Sequence, residues 1–60
     1  MISPMKEKRF FAQITIYDLS IKTKIDPGKI SLIERGYKIP CDKEKTKIAN
    51  ALNCKIEEIF

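Results

Sequence analysis

Apolar positions recur along this chain in short groups at helical spacing, and no stretch alternates convincingly as a strand would. The best-defined group is Asp26–Gly36, read as DPGKISLIERG. Ile30 and Ile33 fall three apart on one face, and Ile25 just ahead of the segment extends the apolar patch. Both ends carry termination chemistry. The Asp26 carboxylate can accept orphan N–H groups of a first turn. Pro27 suits the first helical position, where its missing N–H costs nothing. Gly36 supplies the left-handed residue that ends a helix. The other face carries Gly28, Lys29, Ser31, Leu32 and Arg35, and is the candidate contact surface.

The flanking segments follow the same logic. Residues 1–13 are expected to form a first helix, with Ser3 as N-cap and Pro4 in the first turn. Met5, Arg9 and Ala12 share a face, with Phe10 or Phe11 beside it. Arg9 on that stripe has two readings: a stem that covers the core while its head stays wet, or a cation with a partner carboxylate. Thr15 caps a second helix running to about Thr23, with Asp18 at the capping-box position and Leu19 as the apolar anchor. Lys24–Ile25 must then turn tightly into Asp26. After the loop Tyr37-Lys38-Ile39-Pro40, either Cys41 or Asp42 starts a fourth helix. Its apolar face is Ile48, Ala49 and Leu52, with Ala51 beside them, and Asn53 closes it. The last turn, Ile56–Phe60, presents Ile56, Ile59 and Phe60. The expectation is an all-α single domain over residues 1–60, a compact five-helix bundle with short loops. The short turn between the second and third helices makes that pair a helix-turn-helix candidate.

Size and charge narrow the function. Sixty residues bury only about 60% of their unfolded surface and leave no room for an enclosed substrate cavity. Twelve Lys and Arg against eight Asp and Glu give a net charge of +4, which favours a polyanionic partner. No apolar run approaches the ~20 residues of a membrane span. The N-terminus has charge without an apolar core behind it, so no signal peptide is read and a cytoplasmic location is expected. Cys41 and Cys54 match no metal-ligand spacing and the chain has no His, so no metal and no cofactor are expected. The bland reading of the cysteines is a small core residue at Cys54 and a surface loop residue at Cys41; the sharper one is a redox switch. An enzyme is not expected either. No nucleophile stands beside a base, no glycine loop cradles a phosphate, and adjacent Glu57 and Glu58 point to different sides of one helix.

Three stretches in order resemble the Cro/C1-type helix-turn-helix proteins, which include the lambdoid phage repressors. They are I-T-x-x-x-L-S-x-K-T-x-I-D at 14–26, I-S-x-I-E-R-G-Y-K-x-P at 30–40 and K-I-A-N-A-L-N-C-x-I-E-E-I-F at 47–60. The resemblance covers roughly residues 5–60. It implies the lambda-repressor-like bundle, with 15–23 as the positioning helix and 26–35 as the recognition helix laid in the major groove. It also implies an ion pair between Arg9 and Glu34. Four positions depart from the family pattern: Ile16 where Gln is common, Lys24 where the turn commonly has Gly, Pro27-Gly28 where polar residues are usual, and Lys45 where the fourth helix is usually apolar.

The function the resemblance implies is a sequence-specific transcriptional regulator, a repressor, on double-stranded DNA. Base readout falls to Gly28, Lys29, Ser31 and Leu32: Lys29 for a guanine edge, Leu32 for a thymine methyl, and Gly28 for close backbone approach. Phosphate contacts fall to the first turn of the positioning helix at Ile16, through its N–H groups, and to Tyr17, Arg35, Tyr37, Lys38 and Lys43. One module buries too little surface for tight binding, so a homodimer is expected, with Ile56, Ile59 and Phe60 as its interface; the other reading is that Ile59, with or without Ile56, finishes the core and leaves Phe60 over. The alternative is a protein-binding module on the same fold, antitoxin-like or anti-repressor, favoured by the poverty of readers at Ile16, Pro27, Gly28 and Leu32.

Overall fold

The computed structural model describes residues 3–60. Their secondary structure is five helices and no strand: α1 (Pro4–Phe11), α2 (Ile16–Thr23), α3 (Pro27–Glu34), α4 (Asp42–Ala51) and α5 (Ile56–Ile59). Met1 and Ile2, expected at the start of the first helix, lie outside the described residues.

Each helix start follows from local chemistry. Ser3 accepts the Lys6 N–H at 3.1 Å. Thr15 and Asp18 form a reciprocal capping box, with Thr15 Oγ1 accepting from Asp18 N–H at 3.1 Å and Asp18 Oδ2 accepting from Thr15 N–H at 3.2 Å. Asp26 Oδ2 accepts the Gly28 N–H at 2.9 Å, with Pro27 leading the helix. At α4 the cap residue is Cys41, which lacks a hydroxyl. There the Cys41 N–H instead donates to Glu44 Oε1 at 3.0 Å.

The helix ends share one solution. In α1, α3 and α4 the chain closes with two crossed hydrogen bonds around a left-handed residue. Gln13 N–H donates to Phe10 C=O and Ile14 N–H to Arg9 C=O, around Gln13 at φ 56°. The same pattern surrounds Gly36 at φ 85° and Asn53 at φ 55°. Gln13 therefore stops α1 at Phe11, two residues short of the expected end. Ala12 becomes the exposed cap instead of an inward-facing position. Phe10 and Phe11 are both exposed, neither flanking the core, and their rings meet edge to face at 5.9 Å.

The turn from α2 to α3 is tied down by α2 itself. Lys24 adopts φ 59° and ψ 29°, and its N–H donates to Ser20 C=O at 2.7 Å. Ser20 Oγ donates to Ile25 C=O at 2.5 Å. Thr23, buried at 2% exposure, donates its hydroxyl to Leu19 C=O at 2.7 Å. These bonds satisfy polar groups that burial of the turn would otherwise leave unpaired.

One core results, from Met5, Leu19, Ile25, Ile30, Ile33, Ile48, Ala49, Leu52 and Ile59, with Ile14, Ile16, Ala51 and Cys54 packed at its edge. Helix α2 packs on α3 and α4, and α5 closes the bundle against α1 and α4. The described residues span 21 × 21 × 19 Å. No helix among them is long and apolar enough to cross a membrane. Ile59 corrects the expected interface. At 6% exposure it belongs to the core, because α5 is a single turn pressed between α1 and α4.

Candidate functional site

The α2–turn–α3 unit presents its polar residues in two groups that point to different neighbours. The first group surrounds an open groove of about 610 Å³, where the starts of α1 and α2 meet the end of α3. Ile16, Ser31, Arg35 and Tyr37 line it together with Lys6 and Arg9. Tyr37 follows α3 because the Gly36 turn directs its N–H back to Leu32 C=O at 2.9 Å. Ile16 sits half-buried against the core, so its side chain serves packing while the first turn of α2 faces the groove. The dipole of α2 favours an anion at that end, where the capping box occupies the Asp18 N–H and Leu19 N–H bonds back to Thr15 C=O.

The Arg9 guanidinium forms the wall of this groove. Its Nη2 lies 3.1 Å from Glu34 Oε1, and Nη1 donates to Ile14 C=O at 3.2 Å. The two side chains are only 16% and 6% exposed. Arg9 Nε is buried without a hydrogen-bond partner. Lys6 and Arg35 make no ion pair among the described residues and remain exposed beside the groove. Lys6 is the member that sequence reasoning missed. Its spacing of three from Arg9 was the available signal, since residues three apart share a helix face.

The second group faces α4. Lys29 Nζ lies 2.6 Å from Glu44 Oε2. The Lys29 hydrogen bond, followed by the Cys41 N–H, lowers the Glu44 carboxyl to about 2. The same bond raises the Lys29 ammonium above its ordinary value. The long reader expected on α3 is thus engaged by α4.

The remaining predicted residues are spread around the unit. Gly28 is exposed, and a Cβ there would come within 3.0 Å of Asp26 Oδ2, so the small residue also keeps the cap close. Leu32 is 40% exposed, Tyr17 and Tyr37 more so, and Lys38 and Lys43 are exposed. At the far end, Ile56 and Phe60 are partly exposed. Lys45 Nζ stands 5.9 Å from the Phe60 ring centroid, within cation–π range. That contact gives Lys45 an aromatic partner at the end of α5.

Among the described residues, no group of three His, Cys, Asp or Glu side chains could hold a metal ion. No protein-family model matches this chain, and neither does any curated protein or solved structure.

Proposed function

We propose that this chain is a Cro/C1-type helix-turn-helix protein with the lambda-repressor-like arrangement, and that it binds double-stranded DNA as a homodimeric transcriptional repressor. In this reading α2 positions the unit and α3 enters the major groove. The observation that carries it is the groove at the start of α2. Ser31, Arg35 and Tyr37 from α3 and its exit meet Lys6 there, beside a helix N-terminus suited to a phosphate. The chain's net charge of +4 has the sign that DNA requires.

Phosphate contacts come from Lys6, Arg35, Tyr37, Lys38, Lys43 and the first turn of α2. Ser31 and Leu32 are the base-facing side chains, and Gly28 lets the backbone approach. Ile56 and Phe60 form the dimer surface without Ile59, which packs inward. The test is binding to random-sequence duplex across a salt series. A slope of about −0.9 per neutralised phosphate in log affinity against log salt is expected. No binding at low salt overturns the reading.

A second reading keeps the fold and replaces DNA with a protein partner. Exposed apolar side chains on α2 and in the loop after α3 favour it: Tyr17, Ile21 and Ile39 are 73%, 77% and 87% exposed. Absence of duplex binding at low salt is the outcome it requires.

A further inference from the structure

The Lys29–Glu44 contact has an asymmetry that bears on how much Lys29 can add to duplex binding. Glu44 is held at its place independently of Lys29. It stands in the first turn of α4, and its Oε1 accepts the Cys41 N–H at 3.0 Å. It is also favoured there by the positive end of the α4 dipole. Its side chain is only 17% exposed. Lys29 has the opposite character. It is a long side chain, 37% exposed, and its 2.6 Å contact to Glu44 Oε2 is the one ion pair it makes among the described residues. The pair is therefore a fixed anion beside a cation that can leave.

We propose that Glu44 is a positioning residue that holds Lys29 off the DNA backbone and so limits what this cation adds to the binding of any duplex. This rests on the DNA-binding reading of α3 given above. A phosphate offers Lys29 an acceptor at every step of any duplex. With Glu44 in place, exchanging one anion for another gains little, so random sequence draws little affinity from Lys29. A guanine edge is neutral, so it competes with the Glu44 carboxylate for Lys29 less well than a phosphate does.

The experiment compares wild type, E44Q, K29M and K29M/E44Q on a random-sequence duplex across a salt series. Circular dichroism checks that each variant is folded. Gln keeps an oxygen for the Cys41 N–H, and Met keeps most of the Lys29 stem. E44Q is expected to tighten random-duplex binding about fivefold at low salt, the ratio one exposed ion pair is worth. It should also steepen the salt slope by about 0.9, one additional phosphate neutralised. In the K29M background the same substitution should leave the slope nearly unchanged. Equal steepening in both backgrounds overturns the proposal, because Glu44 would then act as a general repulsive charge. An unchanged slope in E44Q overturns it as well. If no variant binds duplex at low salt, the DNA reading falls and takes this proposal with it.

Discussion

Arg9 and Glu34, 25 residues apart in the chain, meet at 3.1 Å between Nη2 and Oε1. The same guanidinium donates to Ile14 C=O, so one side chain joins α1, the α1–α2 connection and the end of α3. This lock sets the wall of the cationic groove and holds the exit of α3 against the first helix.

Removing the Arg9 cation would strand the Glu34 carboxylate, which is 6% exposed. R9M is expected to cost about 3 kcal/mol, near the range for breaking a buried pair from one side. E34Q should cost less, since an amide oxygen can still accept from the guanidinium. Urea midpoints followed by circular dichroism measure both. Equal, small losses would mean the pair behaves as an exposed one.

Lys24 occupies left-handed backbone at φ 59°. A side chain there costs roughly 1–2 kcal/mol, and glycine recovers that less its own extra unfolded-state entropy. K24G should raise stability by about 0.5–1 kcal/mol. A lowered urea midpoint would show that the Lys24 side chain makes a stabilising contact that offsets its backbone strain.

Acid should weaken the fold through Glu44. Its carboxyl lies at about 2, below the ordinary glutamate value, through the Lys29 hydrogen bond first and the Cys41 N–H second. A depressed carboxylate contributes stability above its unfolded value of about 4.3 and loses it as pH falls through the folded one. Glu58 adds to the same limb, lowered by the Lys55 N–H first and by Lys8 after it. Wild-type stability should therefore decline between roughly pH 5 and pH 2. The decline should be shallower in E44Q, with the Glu58 part remaining. Parallel pH profiles for the two proteins would contradict the assignment to Glu44.

The two thiols should separate by reactivity. Both cysteines are free, Cys41 is exposed, and Cys54 is half-buried at the core edge. Burial first, and the Glu58 charge second, push the Cys54 thiol up. Less thiolate and less access both slow its reaction. Iodoacetamide labelling followed by mass spectrometry should modify Cys41 well before Cys54. Equal rates would mean that the last turn opens readily.

Much of the architecture was legible locally because it is local chemistry. Ser3, Thr15 and Asp26 start helices through side-chain oxygens within three residues of the N–H groups they accept. Gly36 and Asn53 end helices because they tolerate a positive φ that most residues resist. Gln13 carries no such signature, so the early end of α1 was hidden, and with it the exposure of Ala12, Phe10 and Phe11. The i, i+3 spacing of Ile30 and Ile33 is enough to predict which side of α3 is buried, since burial follows helical periodicity.

The candidate site was legible in its residue types and less so in its connections. The sequence points to Ser31, Arg35 and Tyr37 separately, and folding alone gathers them with Lys6 around one groove. Lys29 reads from sequence as a free cation on α3, and only the packed chain engages it with Glu44. Spacing cannot foresee that contact, because it depends on where the start of α4 comes to rest. For Ile59 the local pattern leaves two readings open, a partner surface or the end of the core, and enclosure by α1 and α4 decides for the core. By itself, then, the sequence determined the order of the helices, most of their caps, most of their buried faces and the sign of the net charge, all but the last set by neighbours within a turn or two. The tertiary structure decided which charges are paired and which apolar ends are covered, because those depend on side chains brought together from distant parts of the chain.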